Sequence, residues 1–347
     1  MDVLSVSTGR NRVRAVRRNL APGLWVKAGP LMWRRVGSGP VPGHASSTKG
    51  VASTRDPGSP LTRLGDLRHA FVVLGRGGTA DAAIAAHDGG TVLFDTSSHH
   101  VIRRYGTGPV TEDYVRMRTA FTSHVGAPAF AVGGDGEFVV EELVTGEHLL
   151  DVHPRVRIAA VQQLIGEYAH LTAEAGAGGA GLRQVLAPVA HDLAETSPFR
   201  EGWDVGHVCD AGGLGDPMIW VPSAYEATTK NLMIARGGRP VPIDLGDLQL
   251  QPFFAYPIGL LISAGADVLE AYRDGEFDPA LTALWAAAGQ EWSGGARQRD
   301  AVLVARAAFG AARDHGAGVP GGVRALLAGR LASIEPWLTI TRTGGFV

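Results

Sequence analysis

Hydrophobic and polar positions alternate in short runs over the middle third of the chain and then settle into a helical period. Ala70-Phe-Val-Val-Leu74 and Thr91-Val-Leu-Phe94 are compact β-like runs, and Val101-Ile102 is followed by Arg103-Arg104-Tyr105. The polar stretch Thr96-Ser-Ser-His-His100 suits a turn joining the last two as a hairpin. Thr111 to His124 predicts a helix: Thr111 is a suitable N-cap, and Glu112 and Asp113 fall in the first turn, where the helix dipole favours acids. Glu137-Phe-Val-Val-Glu141 alternates as a strand should and runs into Glu142-Leu-Val-Thr-Gly146. From Val156 to Ala175 the apolar residues Ile158, Val161, Leu164, Ile165, Tyr168 and Leu171 recur at helical spacing. Met218-Ile-Trp-Val221 and Leu232-Met-Ile-Ala235 are short apolar runs. Val241-Pro-Ile243 follows the turn Arg236-Gly-Gly-Arg239, and the stretch from about 255 to 338 is Ala- and Leu-rich with Gly turns. The expected order is a small β-rich lobe (63–146) and a larger helical lobe (147–347).

Residues 1–62 differ in texture. Arg10, Arg12, Arg14, Arg17, Arg18, Lys27, Arg34 and Arg35 face almost no acids, and Gly37 to Pro60 is Gly, Ser, Pro and Thr without an apolar period. Such a segment buries too little surface to offset its ordering entropy, which predicts a basic, disordered tail. Arg17-Arg18-Asn-Leu resembles the start of a twin-arginine export signal, but Pro22 and Lys27 break the apolar run that a signal needs.

Composition narrows the class. The 347 residues are 45% hydrophobic and 19% charged, ordinary for a soluble globular protein of two domains or two lobes. A net charge of −2 argues against a nucleic-acid clamp. A single cysteine, Cys209, excludes an intrachain disulfide framework and suits the cytoplasm. The longest apolar stretch, Tyr256 to Ala266, is too short and Gly-rich to span a bilayer. His207, Cys209 and Asp210 lack a second pair of ligands, which discards a zinc site.

The chemistry concentrates in Tyr225-Glu-Ala-Thr-Thr-Lys-Asn231 and Pro242-Ile-Asp-Leu-Gly-Asp247. An acid is followed five residues later by an amide, and a further acid ends a β-run thirteen residues beyond. Phosphoryl transfer uses such parts: a carboxylate near the attacking hydroxyl, and an amide with a carboxylate holding Mg²⁺ on the phosphates. Here the sequence resembles the aminoglycoside-phosphotransferase and choline-kinase group, whose pattern is His-Gly-Asp-x-x-x-x-Asn, a hairpin strand, then an Ile-Asp-Trp/Phe segment. The resemblance covers roughly residues 65–290. It implies an α+β, bilobal protein-kinase-like fold, ATP and Mg²⁺ as cofactors, and a small-molecule or precursor-peptide hydroxyl as acceptor. It assigns Asn231 and Asp244 to the metal, Glu226 to the catalytic acid position, and Arg103 to the strand position of the phosphate-pairing lysine. Glu142-Leu-Val144-Thr-Gly resembles the connector whose backbone meets adenine. Gly75 and Gly77 fall in a nucleotide-covering loop, and Glu112 or Asp113 is the partner of Arg103.

The departures are specific. Ala224-Tyr225-Glu226 stands in place of His-Gly-Asp, and arginine replaces the lysine. Glu226 is one methylene longer than aspartate, and Arg103 pairs with phosphate through a fork rather than a point charge. These departures allow a pseudokinase that binds nucleotide without turnover. Glu270, Asp274, Glu276 and Asp278 are candidates for contacting a cationic acceptor, against the plainer reading of a solvated acidic face. Asp244 and Asp247 compete with the reading of turn residues, and Arg103 with that of a solvated strand residue.

A different class rests on Ala70 to Asp95. A strand, the turn Gly75-Arg-Gly77-Gly78-Thr-Ala80, an alanine-rich stretch to His87 and a second strand ending in Asp95 follow the dinucleotide-binding order, with Asp95 twenty residues past Gly75. No second βαβ unit follows, which favours the kinase-like fold.

Overall fold

A computed structural model describes residues 20–21, 23–27, 32–35, 71–73, 79–85, 90–106, 108–176, 178–196, 203–225 and 227–339. The chain divides into two compact units, residues 1–116 with 127–147, and residues 117–126 with 148–347.

The first unit is built on eight strands: β1 (Gly23–Lys27), β2 (Met32–Arg35), β3 (Phe71–Val73), β4 (Ala82–Ala85), β5 (Thr91–Asp95), β6 (His100–Arg104), β7 (Phe130–Gly133) and β8 (Phe138–Glu142). They form one sheet in the order β3-β1-β2-β4-β5-β6-β8-β7, with every pairing antiparallel. The expected hairpin is present: Asp95 lies opposite His100, and Thr91 opposite Arg104. Every residue of β5 is buried. Val92 and Phe94 pack with Ala82 and Leu143 in an apolar cluster that Ile84 and Val101 extend. The short strand β9 (Gly146–His148) follows β8.

Two sequence expectations change here. Residues 23–27 and 32–35, placed in the disordered tail, are strands within the sheet: Val26 pairs with Arg34 and Leu24 with Val72. The density of arginines obscures the runs Leu24-Trp25-Val26 and Met32-Trp33, which are separated in the sequence by Gly29 and Pro30. The second change concerns the dinucleotide reading. Ala82–Ala85 is not a crossover helix but a strand antiparallel to β5, with Ala82 opposite Phe94 and Ala85 opposite Thr91. Alanine's preference for helix is only tenths of a kcal/mol per residue, so sheet pairing overrides it. Among the described residues of this segment there is therefore no parallel βαβ unit. Asp95, the expected ribose ligand, instead accepts hydrogen bonds from the Ser97 and Ser98 amides at 3.1 and 3.0 Å and the Ser97 hydroxyl at 2.7 Å. It closes the β5–β6 turn.

Helix α1 (Glu112–Val125) begins as its sequence predicts, with the Tyr114 amide donating to the Thr111 hydroxyl at 3.2 Å. The second unit holds α2 (Pro154–Glu174), α3 (Leu182–Leu186), α4 (Ala190–Thr196), α5 (Val205–Gly212), α6 (Ala255–Ser263), α7 (Ala266–Arg273), α8 (Asp278–Ala287), α9 (Ala296–Gly316) and α10 (Val323–Ile334). Between α5 and α6 lie β10 (Trp220–Ala224), β11 (Leu232–Ala235), β12 (Pro240–Pro242) and β13 (Leu248–Pro252). Helix α9 is the axis of this unit, buried at every residue from Asp300 to Ala312. Its alanines let α5 and α10 pack close against it. Trp285, fully buried, donates its indole N–H to the Gly212 carbonyl at 3.1 Å and meets Phe253 edge-on at 5.0 Å. Arg157 on α2 donates to the carbonyls of Leu149, Leu150, Val152 and Ala264 and pairs with Asp267 at 2.9 Å. The start of the unit is thereby tied to α6 and α7. Among the described residues no helix is long and apolar enough to cross a membrane.

The placement of β1 and β2 is open to a direct test. Deleting residues 1–36 removes two interior strands, leaves β3 without its partner β1, and leaves β4 paired on one side only. The truncated chain is expected to unfold at a lower urea midpoint than the full chain, and an unchanged midpoint contradicts the placement.

Candidate functional site

Strand β10 pairs with β13 from Trp220↔Pro252 to Ala224↔Leu248, and the Tyr225 amide continues the ladder to the Asp247 carbonyl at 2.9 Å. After this point the chain leaves the strand as the loop 225–231. The loop ends in a single 3₁₀ turn, Thr229–Asn231, capped by the Thr228 hydroxyl, which accepts from the Lys230 amide at 3.0 Å. Buried Thr229 pins the turn to the end of α6: its hydroxyl donates to the Ser263 carbonyl at 2.9 Å, and its amide donates to the Ser263 hydroxyl at 3.2 Å. Strand β11 then starts and returns as β12 through Gly237 and Gly238, whose φ angles of 102° and 86° explain the glycines.

The hairpin register sets the site. Leu232 lies opposite Pro242, and the Ile243 amide donates to the Asn231 carbonyl at 2.8 Å. Asn231 and Asp244 therefore leave the hairpin at the same end. Buried Leu245 anchors the chain immediately after Asp244, which is exposed. Asp244 has φ 58°, the left-handed region that aspartate tolerates better than most residues. Backbone held there costs on the order of 1 kcal/mol and collects at functional positions. The chemistry of this end is one amide oxygen and one carboxylate. Among the described residues no three His, Cys, Asp or Glu side chains converge. Two oxygen donors fit Mg²⁺, which keeps water and phosphate oxygens for the rest of its octahedron.

The other end of the loop is held by ions. Arg313 on α9 donates to the Tyr225 carbonyl, and its guanidinium lies 3.8 Å from the Tyr225 ring centroid. The Tyr225 hydroxyl donates to Asp314 at 3.2 Å, and Asp314 pairs with Arg313 at 3.1 Å and with Arg330 on α10. Burial raises the Tyr225 hydroxyl above its ordinary pKa. Burial also raises Asp314, but hydrogen bonds and charge from Arg330 and Arg313 prevail and hold it below the usual carboxylate value. Buried Arg306 donates its Nε to the Ala255 carbonyl at 2.6 Å. Nothing in the sequence singled out Arg306, Arg313, Asp314 or Arg330, because they lie some 80 to 105 residues from the loop they support.

The remaining expected residues are distributed as follows. Glu226, Gly75 and Gly77 lie outside the described residues. Arg103 sits on β6 opposite Val92 and Val139. Its face of the sheet also carries buried Glu141, opposite Val101, and the charges of both residues act on the Tyr105 hydroxyl. Glu112 is exposed at the first turn of α1, and Asp113 pairs with Arg116 at 3.0 Å. Glu141, which sequence reasoning missed, is the acid on Arg103's side of the sheet. In the connector Glu142 is exposed, Leu143 is buried with its amide donating to the His99 carbonyl at 2.8 Å, and Val144 is half-buried. The acidic run divides: Glu270, Asp274 and Glu276 are exposed, whereas Asp278 pairs with Arg299 and accepts from the Trp292 indole at 3.0 Å. His207 pairs with Asp204, Asp210 with Arg183, and burial pushes the Cys209 thiol up to about 11.

Among the described residues Asp314 is the only carboxylate paired with these arginines, and its lowered pKa sets a sign. The stability it contributes is present above the ordinary carboxylate pKa near 4 and is lost as pH falls through its folded value. Arg330 is a third exposed, so Asp314→Asn is expected to cost about 2 kcal/mol at pH 7, between the surface and buried ranges. The variant's urea midpoint is also expected to fall less steeply below pH 4 than that of the wild type; equal acid sensitivity contradicts the assignment.

No family model matches the sequence, and no curated protein matches it. Similar solved structures include an aminoglycoside phosphotransferase from Alicyclobacillus acidocaldarius, 12% identical over 76% of this chain and 91% of that one, with a TM-score of 0.46. A choline/ethanolamine kinase family protein from Mesorhizobium loti is 15% identical over 74% and 90%, with a TM-score of 0.41. Macrolide 2'-phosphotransferase from Brachybacterium faecium is 17% identical over 73% and 89%, with a TM-score of 0.38.

Proposed function

We propose that the chain is an ATP-dependent phosphotransferase of the cytoplasm that moves the γ-phosphoryl group to a hydroxyl of a small molecule or of a natural-product precursor peptide. The observation that supports it is the juxtaposition of Asn231 and Asp244 at one end of the β11–β12 hairpin, on the loop that also carries residue 226. Asn231 and Asp244 would hold Mg²⁺, which neutralises charge developing on the transferring phosphoryl group.

In this reading the carboxylate of Glu226 accepts the proton of the acceptor hydroxyl. The hydroxyl oxygen forms a bond to the γ-phosphorus as the bond to the bridging β-phosphate oxygen breaks, and ADP leaves. Arg103 steadies the phosphates through its forked donors. The backbone of the connector at Glu142 and Val144 meets the adenine, and the loop with Gly75 and Gly77 covers the nucleotide. Most of the acceleration comes from positioning and charge stabilisation, because phosphoryl transfer asks for little covalent chemistry from the protein.

A second reading, a nucleotide-binding module without turnover, is favoured by Tyr225. Where the resembled motif has glycine, this chain carries a ring clamped between Arg313 and Asp314. Release of labelled phosphate from γ-labelled ATP to a panel of hydroxyl acceptors separates the two. Turnover is expected, with Glu226→Gln lowering kcat by about 10²- to 10⁴-fold at little change in KM for ATP. Full activity in that variant contradicts the base assignment, and magnesium-dependent ATP binding without transfer to any acceptor or to water establishes the second reading.

A further inference from the structure

Three guanidinium groups gather near Tyr225 and Ala227, and among the described residues one carboxylate, Asp314, answers them. Arg306 and Arg313 stand seven residues apart on α9, two helical turns along one face, and Arg330 reaches in from α10. Asp314 is already shared by Arg313, Arg330 and the Tyr225 hydroxyl. Arg306 is 6% exposed. Its Nε is satisfied by the Ala255 carbonyl, while its two terminal nitrogens have no hydrogen-bond or ion-pair partner among the described residues.

Glycines on two helices make room for this arrangement. A Cβ on Gly310 would lie 2.7 Å from Nη1 of Arg330 and 2.9 Å from Nη1 of Arg306, so both cationic heads converge on one small space. A Cβ on Gly259 would lie 3.0 Å from Nε and Nη2 of Arg306 and 2.5 Å from the Cβ of Ala227. Arg306 and Ala227, the residue that follows Glu226, thus both lie against Gly259. Like charges held together away from water repel strongly unless an anion lies among them. Consistent with this, burial and then the charges of Arg313 and Arg330 push Arg306 down to about 9, against the opposing pull of Asp314.

We infer that the acceptor is anionic, with an oxyanion group, phosphate or carboxylate, held by Arg306, Arg313 and Arg330 next to the loop that carries Glu226. The inference rests on the phosphotransferase reading and narrows it to one substrate class. Guanidinium forks match the paired oxygens of both oxyanions. The same charges disfavour polycationic acceptors such as aminoglycosides, for which the exposed residues Glu270, Asp274 and Glu276 would be the alternative.

The test is calorimetric titration of the full chain with inorganic phosphate and, separately, with malonate, on wild type, Arg306→Lys and Arg330→Gln. Arg330 is partly exposed, so its variant keeps the test available if the buried substitution fails to fold. One of the two anions is expected to bind wild type and to bind Arg330→Gln about 10-fold more weakly, as loss of one charge-assisted contact requires. The tighter of the two identifies the oxyanion. No binding of either anion to wild type, or equal binding in wild type and the variants, overturns the inference, with Arg306 then a structural cation filling the space between Gly259 and Gly310. Magnesium-dependent ATP binding measured on the same samples separates the two claims. Retained ATP binding without anion binding overturns only the oxyanion site. Arginine-dependent anion binding without ATP binding upholds that site and overturns the transfer reading.

Discussion

Two backbone hydrogen bonds, Tyr225 to Asp247 and Ile243 to Asn231, tie the ends of the loop 225–231 to the segment 243–247. They turn residues scattered over twenty positions into one surface. Each such bond adds only about 1 kcal/mol net, so their effect depends on what holds the register around them. Leu232, Met233, Val241, Leu245 and Leu248 are all buried, so both faces of the hairpin are covered and its apolar packing holds it in place. The polar ends of the hairpin are thus positioned by the burial of its middle. Thr229, locked to Ser263 at the end of α6, fixes the turn that presents Asn231. The left-handed backbone of Asp244 follows from the same constraint, because Leu245 must return to the core at once.

The loop's other end obeys electrostatics rather than burial. Arg313 grips both the ring and the carbonyl of Tyr225, and Asp314 binds that residue's hydroxyl and two arginines. Among the described residues one carboxylate stands among three guanidinium groups, of which Arg306 is buried and Arg330 a third exposed. Cores seldom keep such an imbalance without a use for it. The excess is the ground for the proposed oxyanion site.

Much of the second unit was legible because local signals and packing agree. The runs 232–235 and 241–243 flank a Gly-Gly turn and form the expected hairpin, and the stripe from Ile158 to Leu171 lies on a 21-residue helix. The Thr111 cap and the β5–β6 hairpin followed the same logic. The misses arose where local composition opposed the tertiary solution. The strands at 23–27 and 32–35 are short apolar islands in a basic segment, and only their partners stabilise them. Ala82–Ala85 has helix-forming residues, yet the strands on either side claim its backbone. Arg306 and Arg330 carry no local sign of a site, since their meeting depends on how α9 and α10 pack. Glu141 was passed over for Glu112 because strand register, not proximity to a helix start, decides which acid shares a face with Arg103.

The most direct test is titration of ATP with and without Mg²⁺ against the wild type and Asp244→Ala. The account predicts magnesium-dependent binding to the wild type that Asp244→Ala abolishes, leaving at most a weak, magnesium-independent interaction. Equal binding by both proteins, or no binding by the wild type with magnesium present, contradicts the assignment of the Asn231 and Asp244 end of the hairpin as a metal–nucleotide site.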